Sequence, residues 1–265
     1  MVTTWRSGTV PVSGGHLAYH RTGGDSARPA LVLSHGLTDN GLCWLRLARA
    51  LEGDFDIVML DARGHGASSR MTPDAPFAPG RDIAEAVDAL GLERPVLMGH
   101  SVGGRATADY AAAHPQRIAR VILEDPAFTA PVPPDRLPVR RQKFREHVAS
   151  FQGRSHDQIV ADGRAATPTW HADDFPDWAA AKTQVDPEAF PAYDTPWQDL
   201  VAALRVPTLV IHGEAALGSL ITPQVTAEIA ALNPAVRLQR IDGAAHNVRR
   251  ENFDGVLAAV RAFLS

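Results

Sequence analysis

A serine between two glycines is the pattern in this chain that most directly suggests chemistry: Gly99, Ser101 and Gly103 stand at alternate positions. The apolar residues 96–98 before it are typical of the end of a buried strand, and the alanine-rich stretch after it is typical of a helix. A sharp turn between them holds the serine in an unfavourable backbone conformation, and the glycines leave room for that turn. The pattern predicts that Ser101 is a nucleophile at a strand end, with the Val102 N–H directed at a developing oxyanion.

The elements around this turn alternate between strand and helix patterns. Apolar runs expected of strands lie at residues 30–34, 55–60, 96–98, 121–125, 206–212 and 236–241. Helical spacing of apolar residues occurs at residues 42–51, 81–90, 223–232 and 253–264. The chain opens with a predicted hairpin of two short strands, at residues 9–12 and 16–20. The alternation predicts an α/β fold, a mostly parallel sheet of about eight strands with helices on both faces.

The pattern changes at Pro126. Residues 126–196 contain many prolines, two tryptophans and several histidines, with helical stretches at 140–151 and 177–184 and no evident strand. We predict that this segment is a helical insertion, and that residues 1–125 and 197–265 together form the core. Active groups of such sheets lie at the carboxyl ends of the strands. The insertion is expected to lie over that edge.

Composition limits the classes of function. The chain has 265 residues, 45% of them apolar, which suffices for a sizeable core. Its net charge of −4 favours neither nucleic acid nor an acidic membrane surface as a partner, and no apolar run approaches a membrane span. The single Cys43 excludes an intrachain disulfide, and the histidines lack metal-ligand spacing. We expect a bacterial, cytoplasmic protein without a secretory signal, metal or cofactor, and the oligomeric state stays open.

Four motifs together resemble those of the α/β-hydrolase superfamily. They are Ser-His-Gly-Leu-Thr at 34–38, Asp-Ala-Arg-Gly-His-Gly-Ala-Ser at 61–68, Gly-His-Ser-Val-Gly-Gly at 99–104 and Gly-Ala-Ala-His-Asn at 243–247. The match covers nearly the whole chain, and the order and spacing of the four motifs make it specific. The resemblance implies an α/β-hydrolase fold with a serine nucleophile, a late histidine base, an oxyanion hole and a helical cap inserted after the sixth strand, where residues 126–196 fall.

The resemblance also implies individual roles. Ser101 corresponds to the nucleophile, and His246 to the base that accepts its proton. Leu37 and Val102 correspond to the residues whose backbone N–H groups form the oxyanion hole. His35 is better explained as a structural residue that braces its loop. His65 and His100 are better explained as packing or loop-bracing groups than as catalytic residues.

The acid of the triad has three alternatives. Many relatives place it three residues after the glycine that follows the seventh strand, but here that glycine is Gly213 and the third position is Ala216. Glu214 is one residue after the glycine. Haloalkane dehalogenases and zearalenone-type lactonases keep the acid after the sixth strand, about two dozen residues beyond the nucleophile, a position that corresponds to Asp125. We rank Asp125 first, Glu214 second and an absent acid third.

The resemblance favours a serine hydrolase that cleaves a small-molecule carboxylic ester or lactone through an acyl-enzyme. Trp170, His171 and Trp178 in the insertion are predicted to line the substrate pocket, although tryptophans in such a segment equally often pack it onto the core. A carbon–carbon bond hydrolase is a second possibility, although such enzymes often carry asparagine where His100 stands. The third is a catalytically weak, receptor-like binding protein, which the Ala216 position favours.

Overall fold

One eight-stranded sheet organises the computed structural model, which describes residues 5–22, 28–72 and 77–265. The strands are β1 Arg6–Val12, β2 Gly15–Arg21, β3 Ala30–Ser34, β4 Asp56–Leu60, β5 Val96–His100, β6 Arg120–Glu124, β7 Thr208–His212 and β8 Arg237–Arg240. Their spatial order is β1-β2-β4-β3-β5-β6-β7-β8. Strands β3 to β8 pair in parallel, whereas β2 is antiparallel to both of its neighbours, β1 and β4. The predicted fold class is confirmed.

Helices cover both faces of the sheet. The described residues form α1 Leu45–Leu51, α2 Pro79–Ala89, α3 Ser101–Ala113, α4 Leu137–Ala149, α5 His156–Ala166, α6 Phe175–Lys182, α7 Trp197–Ala203, α8 Pro223–Leu232, α9 Val248–Glu251 and α10 Phe253–Leu264. Successive side chains of a strand point to opposite faces. In β3, Val32 belongs to an apolar cluster that includes residues of α2, α3, α7 and α8, whereas Leu31 and Leu33 belong to another that includes residues of α1 and α10. The continuous apolar strands are therefore explained by burial on both sides.

Residues 126–196 contain three α-helices, α4 to α6, and no strand. Helix α5 was not predicted from the sequence. Only its residues Ile159 and Gly163 are buried, so its apolar periodicity is weak. Its start does carry a local signal, because Ser155 and Gln158 form a capping box in which each side chain bonds the other's backbone N–H.

The segment packs against the loop that follows β3. Phe144 and Val148 of α4 form a small apolar cluster with Val185 and Ala189, and Leu37 of that loop packs against it. None of the helices within residues 5–22, 28–72 and 77–265 has both the length and the apolarity needed to cross a bilayer.

Candidate active site

Ser101 lies at the turn from β5 to α3, at the carboxyl end of the strand. Its φ of 53° is in the left-handed region, which residues other than glycine rarely adopt. A Cβ at Gly99 would overlap the carbonyl of Gly103, and a Cβ at Gly103 would overlap the carbonyl of His35. Both glycines are thus required by close backbone approach. Val102, the second residue of α3, lies where backbone N–H groups have no acceptor within the helix.

Hydrogen bonds connect Ser101, His246 and Asp125 in a line. The Nε2 atom of His246 is 3.0 Å from Ser101 Oγ, and its Nδ1 atom is 2.6 Å from Asp125 Oδ2. An ionised carboxylate only accepts hydrogen bonds, so Nδ1 carries the proton of the neutral ring. The lone pair of Nε2 is therefore directed at the serine hydroxyl, the arrangement needed to accept its proton.

The carboxylate of Asp125 is fully buried and held by three donors. Besides the histidine ring, the Leu220 N–H donates to Oδ2 at 2.9 Å and the Ser219 hydroxyl donates to Oδ1. Asp125 also has a positive φ of 38°, a conformation found in strained functional turns. Sequence reasoning missed Ser219 and Leu220; they follow Gly218, whose φ of 114° marks a tight turn after β7.

Glu214 has a different position from Asp125. Its carboxylate accepts the Gly243 N–H at 2.7 Å, and its own N–H donates to the Ala244 carbonyl at 2.7 Å. It therefore holds the turn that precedes His246 and does not bond the ring. Ala216 lies in a single 3₁₀ turn, Ala215–Leu217, and lines a separate surface groove. Of the alternatives for the acid, Asp125 is the one that the structure places on the His246 ring.

The loop after β3 passes beside Ser101. A Cβ built on Gly36 of this loop would lie 3.5 Å from the Cβ of the serine. The Gly36 carbonyl accepts hydrogen bonds from His35 Nδ1 at 2.7 Å and from the Asp39 N–H at 3.1 Å. In a planar trans peptide the N–H points opposite to the C=O. These two bonds on the Gly36 oxygen therefore also fix the direction of the Leu37 N–H.

Buried histidines hold the surrounding loops. His65 Nε2 donates to the Leu37 carbonyl, and His100 Nε2 donates to the His246 carbonyl at 3.0 Å. Burial lowers the pKa of His35, His65 and His100, so that each is held in its neutral form. Their contacts match the predicted bracing role, and each contacts a different part of the backbone around Ser101.

These histidines predict a loss of stability in mild acid. Burial and the neighbouring His35 lower the pKa of His65 to about 4. Below about pH 6.5 the unfolded chain takes up a proton that the folded chain does not accept until about pH 4. The contribution of neutral His65 to the free energy of unfolding is therefore complete above about pH 6.5 and is lost as the pH falls toward about 4. For this residue alone the loss amounts to roughly 3 kcal/mol. Urea unfolding between pH 7 and pH 4 measures it. In the variant His65→Gln, the free energy of unfolding should change less steeply with pH, by the equivalent of about one bound proton. A slope equal to that of the wild type would show that His65 does not cause the loss.

Trp170, His171 and Trp178 are placed among the helices of the insertion. Trp170 stacks on Phe175 with ring centroids 5.9 Å apart and meets the Trp178 ring edge-on at 6.0 Å. His171 is exposed, and its Nδ1 accepts the Asp173 N–H at 3.3 Å, as an N-cap does. None of the three is among the described residues that line the cleft beside the Gly36 loop. These contacts support the packing alternative, and a role in substrate binding stays a prediction.

A mostly apolar cleft runs beside the Gly36 loop. It is lined by that loop, by the start of α3, by α2 and by the insertion, through residues that include Leu37, His65, Phe77, Ile83, Val102, Ala106 and Ala189. Within the part of the chain that the structure describes, no three His, Cys, Asp or Glu side chains are grouped to hold a metal ion.

Comparison with known proteins gives the class. Residues 29–251 match the family model of the alpha/beta hydrolase fold, and the chain belongs to that family. It is a hydrolase of this fold. It is 30% identical over 277 residues to N-formylmaleamate deformylase from Pseudomonas putida, an alignment that covers 100% of this chain and 98% of that protein.

Solved structures show the same fold. The N-formylmaleamic acid deformylase from Pseudomonas putida S16 is similar with a TM-score of 0.76 and 22% identity, covering 96% of this chain and 100% of that one. The enol-lactonase from Burkholderia xenovorans LB400 is similar with a TM-score of 0.73 and 24% identity, covering 97% and 99%. At these identities the likeness concerns the fold.

Proposed function

We propose that the protein is a serine hydrolase that cleaves a small carboxylic ester or lactone through an acyl-enzyme intermediate. The observation that carries this proposal is the hydrogen-bonded line from Ser101 through His246 to Asp125 at the carboxyl edge of the sheet. A serine paired with a histidine whose other nitrogen bonds a carboxylate is the arrangement that activates a hydroxyl for acyl transfer.

Acylation follows from the positions of these atoms. Ser101 Oγ attacks the substrate carbonyl carbon while His246 Nε2 takes the hydroxyl proton, and Asp125 stabilises the imidazolium that forms. The carbonyl oxygen becomes negative and accepts hydrogen bonds from the backbone N–H groups of Leu37 and Val102. His246 then gives its proton to the leaving oxygen as the carbon–oxygen bond breaks, which leaves the acyl group on Ser101.

Deacylation repeats the same transfers with water. His246 takes a proton from a water molecule, whose oxygen attacks the acyl carbon. The tetrahedral intermediate collapses, His246 returns the proton to Ser101 Oγ, and the carboxylic acid leaves. Water is the co-reactant of this step. Ser101 and His246 make and break the bonds and move the protons, Asp125 stabilises the imidazolium, and two backbone N–H groups stabilise the oxyanion.

We also infer that residues 126–196 act as a cap over this site, with residues 1–125 and 197–265 as the core. The support is the apolar cluster in which Phe144 and Val148 of the insertion pack with Leu37. Such a cover excludes water and bounds the space for the acyl group.

Hydrolysis of a formamide carbon–nitrogen bond is a second candidate function. It is favoured by the full-length similarity to the Pseudomonas putida N-formylmaleamate deformylase. The same residues serve, because Ser101 attacks the formyl carbon and His246 protonates the departing nitrogen. The two candidates differ in the leaving group and in the size of the acyl group.

Labelling by a fluorophosphonate tests whether the serine is activated. The native protein should be labelled rapidly, and mass spectrometry should place the adduct on the peptide that contains Ser101. Heat-denatured protein is the control and should not react, because the histidine no longer activates the hydroxyl. Native protein that stays unlabelled would favour the receptor-like alternative.

A substrate panel then separates the two hydrolytic candidates. We expect kcat/KM for p-nitrophenyl acetate and for a simple lactone to exceed that for N-formylmaleamate. The reverse order would assign the protein to carbon–nitrogen hydrolysis and would leave the role of Ser101 unchanged.

A further inference from the structure

Lys182, the last residue of α6, is one of only two lysines in the chain, which otherwise uses arginine as its cation. Its side chain is 4% exposed. The ammonium nitrogen lies 2.8 Å from the Thr38 carbonyl oxygen, 2.8 Å from the Thr38 hydroxyl and 3.4 Å from Asp39 Oδ1. An ammonium has three N–H donors, and here three acceptors surround it. All three belong to the loop that passes beside Ser101, so the insertion is attached to that loop by a buried charge.

The attachment reaches the oxyanion donor through two peptide planes. Lys182 holds the Thr38 carbonyl, and the N–H of the same peptide, that of Asp39, points the opposite way. That N–H donates to the Gly36 carbonyl at 3.1 Å. The Gly36 carbonyl in turn lies opposite the Leu37 N–H in its own peptide. The ammonium is thus linked to the direction of the Leu37 N–H through two hydrogen-bonded peptides, and His35 Nδ1 is the second donor to the Gly36 oxygen in that chain.

The same loop is tied to the segment that carries His246. Arg250 in α9 donates to Asp39 Oδ2 at 2.9 Å, and Arg249 lies 3.6 Å from the same oxygen. Burial alone would raise the pKa of Asp39, but Arg250, Lys182 and Arg249 lower it well below its usual range, so the carboxylate stays charged. Asp39 thus joins the insertion, the oxyanion loop and the histidine segment.

We propose that Lys182 is a positioning residue that fixes the Leu37 N–H and so couples the placement of residues 126–196 to oxyanion stabilisation. The inference rests on the proposed function, because it assigns a role to the oxyanion hole. It requires no contact between Lys182 and the substrate. An insertion that moves away would withdraw the ammonium and weaken the oxyanion hole, so that the site is fully assembled only when it is covered.

The variant Lys182→Met tests the coupling. Methionine keeps an unbranched chain of similar length without donors, and Arg250 remains as a partner for Asp39. Asn40 still bonds Gln184 at 2.9 Å, which keeps the insertion attached nearby. We expect kcat for p-nitrophenyl acetate to fall by about 10- to 100-fold, as expected for a small misplacement of a catalytic group, with KM changed by less than about threefold. The matched control is Lys143→Met at the other lysine, which is exposed on α4; its kcat should equal that of the wild type.

Amide hydrogen exchange gives a readout that does not depend on turnover. In Lys182→Met the exchange of peptides spanning residues 36–39 should accelerate by about tenfold or more, because the Asp39 N–H loses its support. It should not change in Lys143→Met. If both kcat and this exchange match the wild type, or if only the melting temperature falls, the proposal is wrong. An unchanged kcat with a raised KM would also overturn it, since Lys182 would then contact substrate. A wild type that hydrolyses no ester, lactone or formamide would refute the proposed function instead, and the exchange would still decide whether Lys182 holds the loop.

Discussion

Replacing Ser101 with alanine is expected to lower kcat for p-nitrophenyl acetate by about four to six powers of ten, because a nucleophile and its base act as a unit. The hydroxyl oxygen is the atom that would form the covalent bond, and it is the partner of His246 Nε2 at 3.0 Å. KM should change little, since the oxyanion donors and the cleft remain. Steady-state assays, with thermal unfolding to verify the fold, measure both effects.

The backbone of Ser101 provides a matched control. Its φ of 53° strains any residue with a Cβ, a strain of about 1–3 kcal/mol that glycine does not have. Ser101→Gly should therefore be as inactive as Ser101→Ala but unfold at a higher temperature. A variant that lacks the hydroxyl and retains near wild-type turnover would remove Ser101 from the mechanism. A Ser101→Gly variant that unfolds at a lower temperature than Ser101→Ala would contradict this expectation, because the strain would then be smaller than the extra backbone entropy that glycine loses on folding.

Much of the fold follows from sequence because its central strands, β3 to β7, are buried on both sides. Residues 96–98 are apolar for that reason and were predicted as a strand, which in the structure extends to His100. Helix α5 has only Ile159 and Gly163 to bury, so periodicity could not reveal it. The four-residue helix α9 is too short to show a period, although it carries Arg249, whose guanidinium is 3.0 Å from Glu124.

The site is predictable only where its signals are local. The glycines around Ser101 indicate a sharp turn, and they lie within two residues of the serine that the turn positions. Besides the His246 ring, the donors to Asp125 come from Ser219 and Leu220, 94 and 95 residues later, and nothing in their own sequence marks them. The same holds for Lys182, which lies 144 residues from Thr38, because helical spacing does not distinguish a buried lysine from an exposed one.

Replacing Asp125 with asparagine is expected to lower kcat by about three to four powers of ten while the fold is kept. An amide has nearly the same shape as the carboxylate. Its oxygen can take the place of Oδ2 and accept from the Leu220 N–H, and the Ser219 hydroxyl can then accept from the NH₂ group at the place of Oδ1. The amide lacks the negative charge that stabilises the imidazolium of His246. In the opposite orientation the NH₂ group faces the ring and the Leu220 N–H loses its acceptor. The ring proton is then held on Nε2, where no proton can be accepted from Ser101. Steady-state kinetics and thermal unfolding of the purified variant measure both parts of this expectation.

Two further variants separate Asp125 from its alternatives. Glu214→Gln should change kcat by less than about tenfold, because that carboxylate bonds the Gly243 N–H rather than the ring. Ala216→Asp should bring no gain, since Nδ1 of His246 already has a partner at 2.6 Å. If Ala216→Asp instead raised turnover by orders of magnitude while Asp125→Asn was nearly silent, the acid would belong after β7. Asp125 would then be a turn residue whose hydrogen bond to His246 does not contribute to the reaction.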